Sequence, residues 1–195
     1  MALYEFVVVG FAALLVAWLV LSYLGRTHDN IVEARESCES AWGNVEVLLQ
    51  RRHDEVGNLV EIAGEYMELE RDVLAGVVEA RESAIEANAP DERAIAEAEI
   101  RESVQEFYSL AEETPELRTD EKFEDVRESL QDIEQRLENR REYYNDAVRR
   151  YNSLLGQVPE RYVASWRGYD PREPFEADEA AHGEFSVSDR LSEAR

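Results

Sequence analysis

The sequence predicts an all-α protein. It has one N-terminal transmembrane helix, then an antiparallel bundle of about four helices, then a partly disordered C-terminal tail. Three observations carry this reading. An uncharged apolar run opens the chain. From Asn30 onward apolar residues recur at helical spacing, with no strand-like alternation. Gly and Pro stay sparse until the C-terminus. The implied divisions are an anchor at 1–25, a bundle at 30–176 and an acidic mobile tail at 177–195.

The run is "FVVVGFAALLVAWLVLSYL", Phe6–Leu24, nineteen residues without a charge. As a helix it spans ~28 Å, close to the ~30 Å hydrocarbon core of a bilayer. No Lys or Arg precedes it, it is too long for a signal peptide, and no A-x-A site follows, so a retained anchor is expected. The lipid bilayer is thus the first expected partner, through Phe6–Leu24. Arg26 and Arg35 follow the run, while Glu5 and the free amine precede it. The positive-inside rule then expects a single-pass protein of the cell membrane, with its bundle in the cytoplasm and a short N-terminus outside.

After the anchor, Ile31, Ala34, Cys38, Ala41, Val45 and Leu48 form one stripe. It resumes in register as Leu59, Ile62, Tyr66, Leu69 and Val73, and the two positions between are Arg52 and Glu55. One helix from Asn30 to Ala87 is ~87 Å long, more than its partners can cover. The lengths therefore predict a break near His53–Gly57. "NAPDE" reads as a turn with Pro90 in a first helical turn. The next helix covers Ala94 to Ala111, with Ala94, Ala98, Phe107, Leu110 and Ala111 facing inward. The last runs from a cap at Thr119 or Asp120 to Gly156. Its a/d positions 123, 126, 130, 133, 137, 140, 144, 147, 151 and 154 are apolar or aromatic except Arg140. Beyond it, Trp166, Tyr169 and Phe175 are expected to dock on the bundle. Cys38, alone of its kind, forms no internal disulfide and reads as a small buried residue.

Net charge is −23, from 44 acidic and 21 basic residues, which argues against nucleic acid and anionic headgroups as general partners. Only Lys122 is lysine; the other basic residues are arginine. Dense carboxylates with almost no lysine predict a halophilic source, because the Debye length falls to ~3 Å near 1 M salt and self-repulsion becomes tolerable.

Several stretches together resemble the LemA family: "AW" at 41–42, "LLQRRHDEVGNLVEIAGEYMELER" at 48–71, "FYSLAEETPELRTDEKF" at 107–123, "YYNDAVRRYNSLLGQVP" at 143–159 and "GYDPREPFEADE" at 168–179. They occur in family order. The resemblance implies a membrane-anchored helical bundle with no established catalytic activity. Two positions depart from the family pattern. Val56-Gly57 stands where an Ile-Pro is usual, and Thr114 stands where a Tyr is common.

The residues available for chemistry are Arg51, Arg52, His53, Asp54, Glu55 and Asn58, with Arg140, Asn145 and Asp146 from the last helix. The expected arrangement is a polar layer in which Glu55 pairs with Arg140 or Arg52 inside the bundle. The other reading is a partner surface or an anion pocket built on Arg52–Asn58. His53 and Asp54 diverge by ~100° on a helix, poor geometry for sharing a metal, and His28, His53 and His182 are too scattered for zinc. The chain has no glycine-rich phosphate loop, no G-x-S-x-G, no C-x-x-C and no H-E-x-x-H. No catalytic residue, metal or cofactor is therefore expected. The expected function is a membrane-anchored adaptor that docks other membrane-associated proteins. The alternative is a ligand-binding or hydrolytic enzyme using Arg52–Asn58.

Overall fold

A computed structural model describes residues 2–66 and 71–176. Among these residues helix is the only regular structure, with no strand: α1 (Ala2–Tyr66), α2 (Arg71–Glu86), α3 (Pro90–Ala111), α4 (Pro115–Arg118), α5 (Glu121–Leu155) and α6 (Glu160–Arg167). The expected tail at 177–195 lies outside the described residues.

The expected break at His53–Gly57 is absent; α1 continues through Tyr66, and the next helix begins at Arg71. The register explains why. Inward positions of α1 are Val45, Leu49, Arg52, Val56, Leu59 and Ala63, all buried. A strict seven-residue repeat drifts ~20° per heptad against a straight helix. By this point the inward face has moved from 48, 55 and 62 to 49, 56 and 63. Val56 therefore follows Arg52 inside, and the charged interruption is a single helical turn that needs no bend. Gly57 lies within the helix without being required there, since a Cβ would meet only the Arg81 guanidinium, at 3.7 Å.

The described chain forms two compact units. One comprises residues 1–41 and 146–172. Its α1 portion carries an 18-residue apolar stretch, none of it buried, so this is one helix long and apolar enough to cross a membrane. Burial begins abruptly at Thr27, followed by Ile31, Cys38 and Ala41, with Ala147, Val148, Tyr151 and Leu155 from α5 and Val163 and Ala164 from α6. Cys38 is inside, and burial pushes its thiol up, away from reactivity. Trp166, expected to dock, is 79% exposed instead; Val163 and Ala164 are the residues α6 buries. The helix ends at Gly168, whose φ of +73° suits glycine, and Gly168 and Tyr169 both donate to Ala164 O. Tyr169 then meets His28, Oη to Nε2 at 3.1 Å.

The second unit runs from Trp42 to Asn145 and resumes at Glu173. In it α1 lies antiparallel to α5. Trp42 meets Tyr144, Arg52 meets Glu134 and Tyr66 meets Asp120, so each step forward on α1 matches an equal step back on α5. α2 and α3 pair as a hairpin through the short turn before Pro90. Their core joins Val56, Leu59 and Ala63 to Val77, Ile100, Phe107, Phe123 and Leu130. Asp120 caps α5: its Oδ1 accepts from the backbone N–H groups of Lys122 (2.8 Å) and Phe123 (3.1 Å).

Candidate functional site

The second unit holds a charged layer inside its helices. Arg52 and His53 arrive on α1, Glu97 on α3 and Glu134 on α5. Arg52 is 5% exposed and Glu97 2%. Arg52 Nη1 lies 3.2 Å from Glu97 Oε2 and 3.4 Å from Glu134 Oε2. His53 Nε2 sits 2.6 Å from Glu97 Oε1. Donation across this contact uses the imidazole tautomer with its proton on Nε2. Arg101 closes the outer side on Glu134 Oε1, with Nη2 at 2.6 Å and Nε at 2.7 Å. On the far side Arg81 Nε donates to His53 O, 2.7 Å away. Each Glu97 oxygen thus has a side-chain partner, Arg52 on Oε2 and His53 on Oε1, which offsets the cost of burying it.

Sequence reasoning missed Glu97, and the signal was present. The inward stripe of α3 is Ala94, Glu97, Ile100, Val104, Phe107 and Ala111, all buried. Glu97 is its one charged member. The pattern that singled out Arg52 on α1 would have found Glu97 here had the stripe not been drawn through Ala98.

The expected Glu55–Arg140 pair is absent. Arg140 is exposed, with no ion pair among the described residues, and Glu55 is half-buried, accepting from Ser129 Oγ (2.8 Å) and Asn58 Nδ2 (3.2 Å). A charged residue on a stripe is held inside only where a partner meets it, and Arg140 meets none among the described residues. Asp54 and Asn58 are exposed, and Asp54 accepts from Gln50, also on α1. Asp146 takes a hydrogen bond from Arg149. Among the described residues no three His, Cys, Asp or Glu side chains group to hold a metal ion.

Beside the layer is a cavity of about 360 Å³, walled by Arg52, Val56, Val104, Tyr108, Arg127 and Leu130 among others. The Tyr108 hydroxyl is buried there, with no hydrogen-bond partner among the described residues. Burial pushes its pKa up to about 12, against the opposing pull of Arg127 and Arg52, so it is a neutral donor at physiological pH. The Arg127 guanidinium lies over its ring, 5.5 Å from the centroid.

Asn145 has a different task. Its amide clamps the backbone of Phe175, accepting from the N–H at 2.8 Å and donating to the carbonyl at 3.3 Å, while Tyr144 Oη donates to Glu173 O at 2.9 Å. Phe175 itself is buried against Trp42, ring centroids 5.6 Å apart. In the first unit the same Tyr-Asn pair recurs seven residues on. Tyr151 Oη donates to Asp170 O (3.1 Å), and Asn152 brackets Arg172 N and O at 2.9 and 2.8 Å.

Comparison with known proteins gives this geometry a context. Residues 41–188 match the LemA family. The chain belongs to the LemA family. Two curated relatives, the magnetosome proteins MamQ 1 and MamQ 2 of Paramagnetospirillum magneticum, are each 23% identical to it over 175 positions, covering 76% of this chain and 64% of the relative. The chain thus spans somewhat less than two thirds of the length of those relatives. In this LemA protein the stretches that carry the family resemblance meet in the clamps: "YYNDAVRRYN" supplies Tyr144, Asn145, Tyr151 and Asn152, and "GYDPREPFE" supplies the backbone they hold. Trp42 of the "AW" pair meets Phe175 edge-on, and the Arg93 guanidinium lies over its ring, 5.6 Å from the centroid.

Proposed function

We propose that this chain is a single-pass membrane scaffold, tethered through the apolar start of α1, whose helical body docks other membrane-associated proteins. The observation that carries the reading is the tether: an uncovered apolar stretch of membrane-spanning length continues without interruption into the helices of a LemA-family fold. Arg26 and Arg35 after the stretch support a cytoplasmic body. The charged layer is read as structural, because Glu97 is 2% exposed and each of its oxygens is already met by a side chain of α1, Arg52 or His53. The carboxylate-rich, lysine-poor composition supports work in very high salt, and a folding midpoint that rises steadily from low salt to molar salt tests that part.

The scaffold reading is tested by chemical cross-linking in intact membranes followed by gentle solubilisation. Specific, reproducible partners are expected. Recovery of none, together with a hydrolytic turnover abolished in Asp54→Ala, would overturn it in favour of an enzyme using Arg52–Asn58. Alkaline carbonate should leave the protein in the membrane pellet. Digestion of the body by protease added outside intact cells would reverse the orientation.

A further inference from the structure

We propose that α6 is an interfacial foot: its exposed aromatic face lies in the headgroup zone of the bilayer that α1 spans. The inference rests on the transmembrane reading of α1 and adds a second, peripheral contact with the same membrane. Every contact involved lies in the unit formed by residues 1–41 and 146–172.

Position comes first. The apolar run ends at Leu24, and the fold begins three residues later at Thr27, which is 2% exposed. Three helical residues rise ~4.5 Å, so the packed body starts within the thickness of the headgroup layer. Tyr169, one residue past the Gly168 cap of α6, bonds His28 and so fixes the end of α6 at this same level of α1.

Composition comes second. α6 buries Val163 and Ala164, while its other face presents Tyr162 (70% exposed) and Trp166 (79%), four residues apart. Val158, four residues before Tyr162, is exposed as well. Arg167 lies over the Trp166 ring, 5.0 Å from the centroid, and Arg161 adjoins Tyr162. A large exposed Trp and Tyr on one helical face are costly in water and unusual on a monomer's surface. Trp, Tyr and Arg are the side chains favoured at a membrane interface, where an apolar ring and a polar or charged end are both satisfied. The strongly acidic chain does not itself seek anionic lipid. The occupant inferred is therefore the glycerol and headgroup region of a phospholipid bilayer, entered by ring burial rather than by charge.

The test uses the full-length protein in phospholipid vesicles. Trp18, Trp42 and Trp166 are its three tryptophans. Trp18→Phe with Trp42→Phe leaves Trp166 as the reporter. Its emission should be blue-shifted relative to solvent-exposed tryptophan, shielded from aqueous iodide, and quenched most by lipids brominated close to the headgroup. Emission typical of water, with free access to iodide, overturns the foot. Trp42 packs on Tyr144 and Phe175, so loss of folding is controlled by a second measurement. A nitroxide attached at Tyr162→Cys in a Cys38→Ser background should be shielded from a water-soluble relaxant only when vesicles are present. Equal accessibility with and without lipid overturns the proposal independently. A separate variant keeping only Trp18 reports the anchor. Deep-lipid quenching of Trp18 with a water-exposed Trp166 means that the span holds and the foot fails; an unquenched Trp18 means that the spanning reading has failed.

Discussion

Replacing Glu97 with leucine strands Arg52 in the interior. Arg52 is left with Glu134, 3.4 Å away, whose side chain is 38% exposed and already shared with Arg101. Removing one partner of a buried ion pair costs ~3–5 kcal/mol; with Glu134 still in reach, the lower end, ~3 kcal/mol, is expected. Arg52→Leu should cost slightly more, ~4 kcal/mol, because Glu97 then keeps only His53. The paired change Arg52→Leu with Glu97→Leu removes both charges and leaves only the His53 Nε2 proton unmatched, a penalty of ~1–3 kcal/mol. It should therefore be milder than the sum of the single changes, and the coupling is read from the cycle. At this chain length ~1 kcal/mol moves the melting midpoint by ~2–4 °C, so Glu97→Leu should lower it by ~6–12 °C. The assay is thermal and urea unfolding of the full chain in nanodiscs, followed by far-ultraviolet circular dichroism at a salt where the parent folds. The loss should change little with added salt, since the pair is shielded from ions. Arg140→Leu, at an exposed position, serves as the control and should stay within ~0.5 kcal/mol of the parent. A Glu97→Leu effect as small as that of the control refutes the account of the layer.

Other expectations follow from individual positions. Gly57→Ala should raise stability by up to ~1 kcal/mol, since the position is helical and its Cβ has room; a loss measured by the same unfolding assay would indicate a bend there after all. Gly168→Ala, at φ +73°, should cost ~1–2 kcal/mol and quicken proteolysis after α6. Asn145→Ala should free the Phe175 backbone and accelerate limited proteolysis at 173–176, while Asn139→Ala, at an exposed position, should not. The hydrogen bond from Tyr66, with the N–H groups of Phe123 and Lys122, holds the Asp120 carboxyl below its usual range. A depressed carboxyl favours the fold above its unfolded pKa of 3.8, and that contribution is lost as pH falls through the lower folded value. Acid unfolding followed from pH 6 to pH 2 should accordingly lose this acid-labile component in Asp120→Ala.

The sequence made the long features legible and left the cross-chain ones hidden. The apolar run and the α5 stripe are visible because each repeats one rule many times. At Arg140 the rule fails, since a stripe position says where a side chain points and nothing about whether a partner awaits it. The expected break at His53–Gly57 came from treating the heptad as rigid. Real helical drift carries Val56 inward in place of Glu55, and the register runs on to Tyr66. Glu97 was hidden behind a neighbouring alanine one position along. Asn145 drew notice as a polar residue near the stripe, yet its partner Phe175 is thirty residues away and is held by backbone atoms that no sequence pattern records.

The uninterrupted passage of α1 from the apolar run into the buried stripe has a consequence for evolution by insertion and deletion. A loop at residues 25–26 could absorb an added residue; a helix cannot. One residue inserted there turns the apolar run by ~100° about the axis and lifts the packed body by ~1.5 Å. Four residues leave the azimuth ~40° off and raise the body by ~6 Å. If α1 spans the bilayer as proposed, the height of the body above the lipid and the facing of the span are counted out in whole residues between Leu24 and Thr27. Length changes at that joint should be strongly selected against even where the substituted side chains touch nothing.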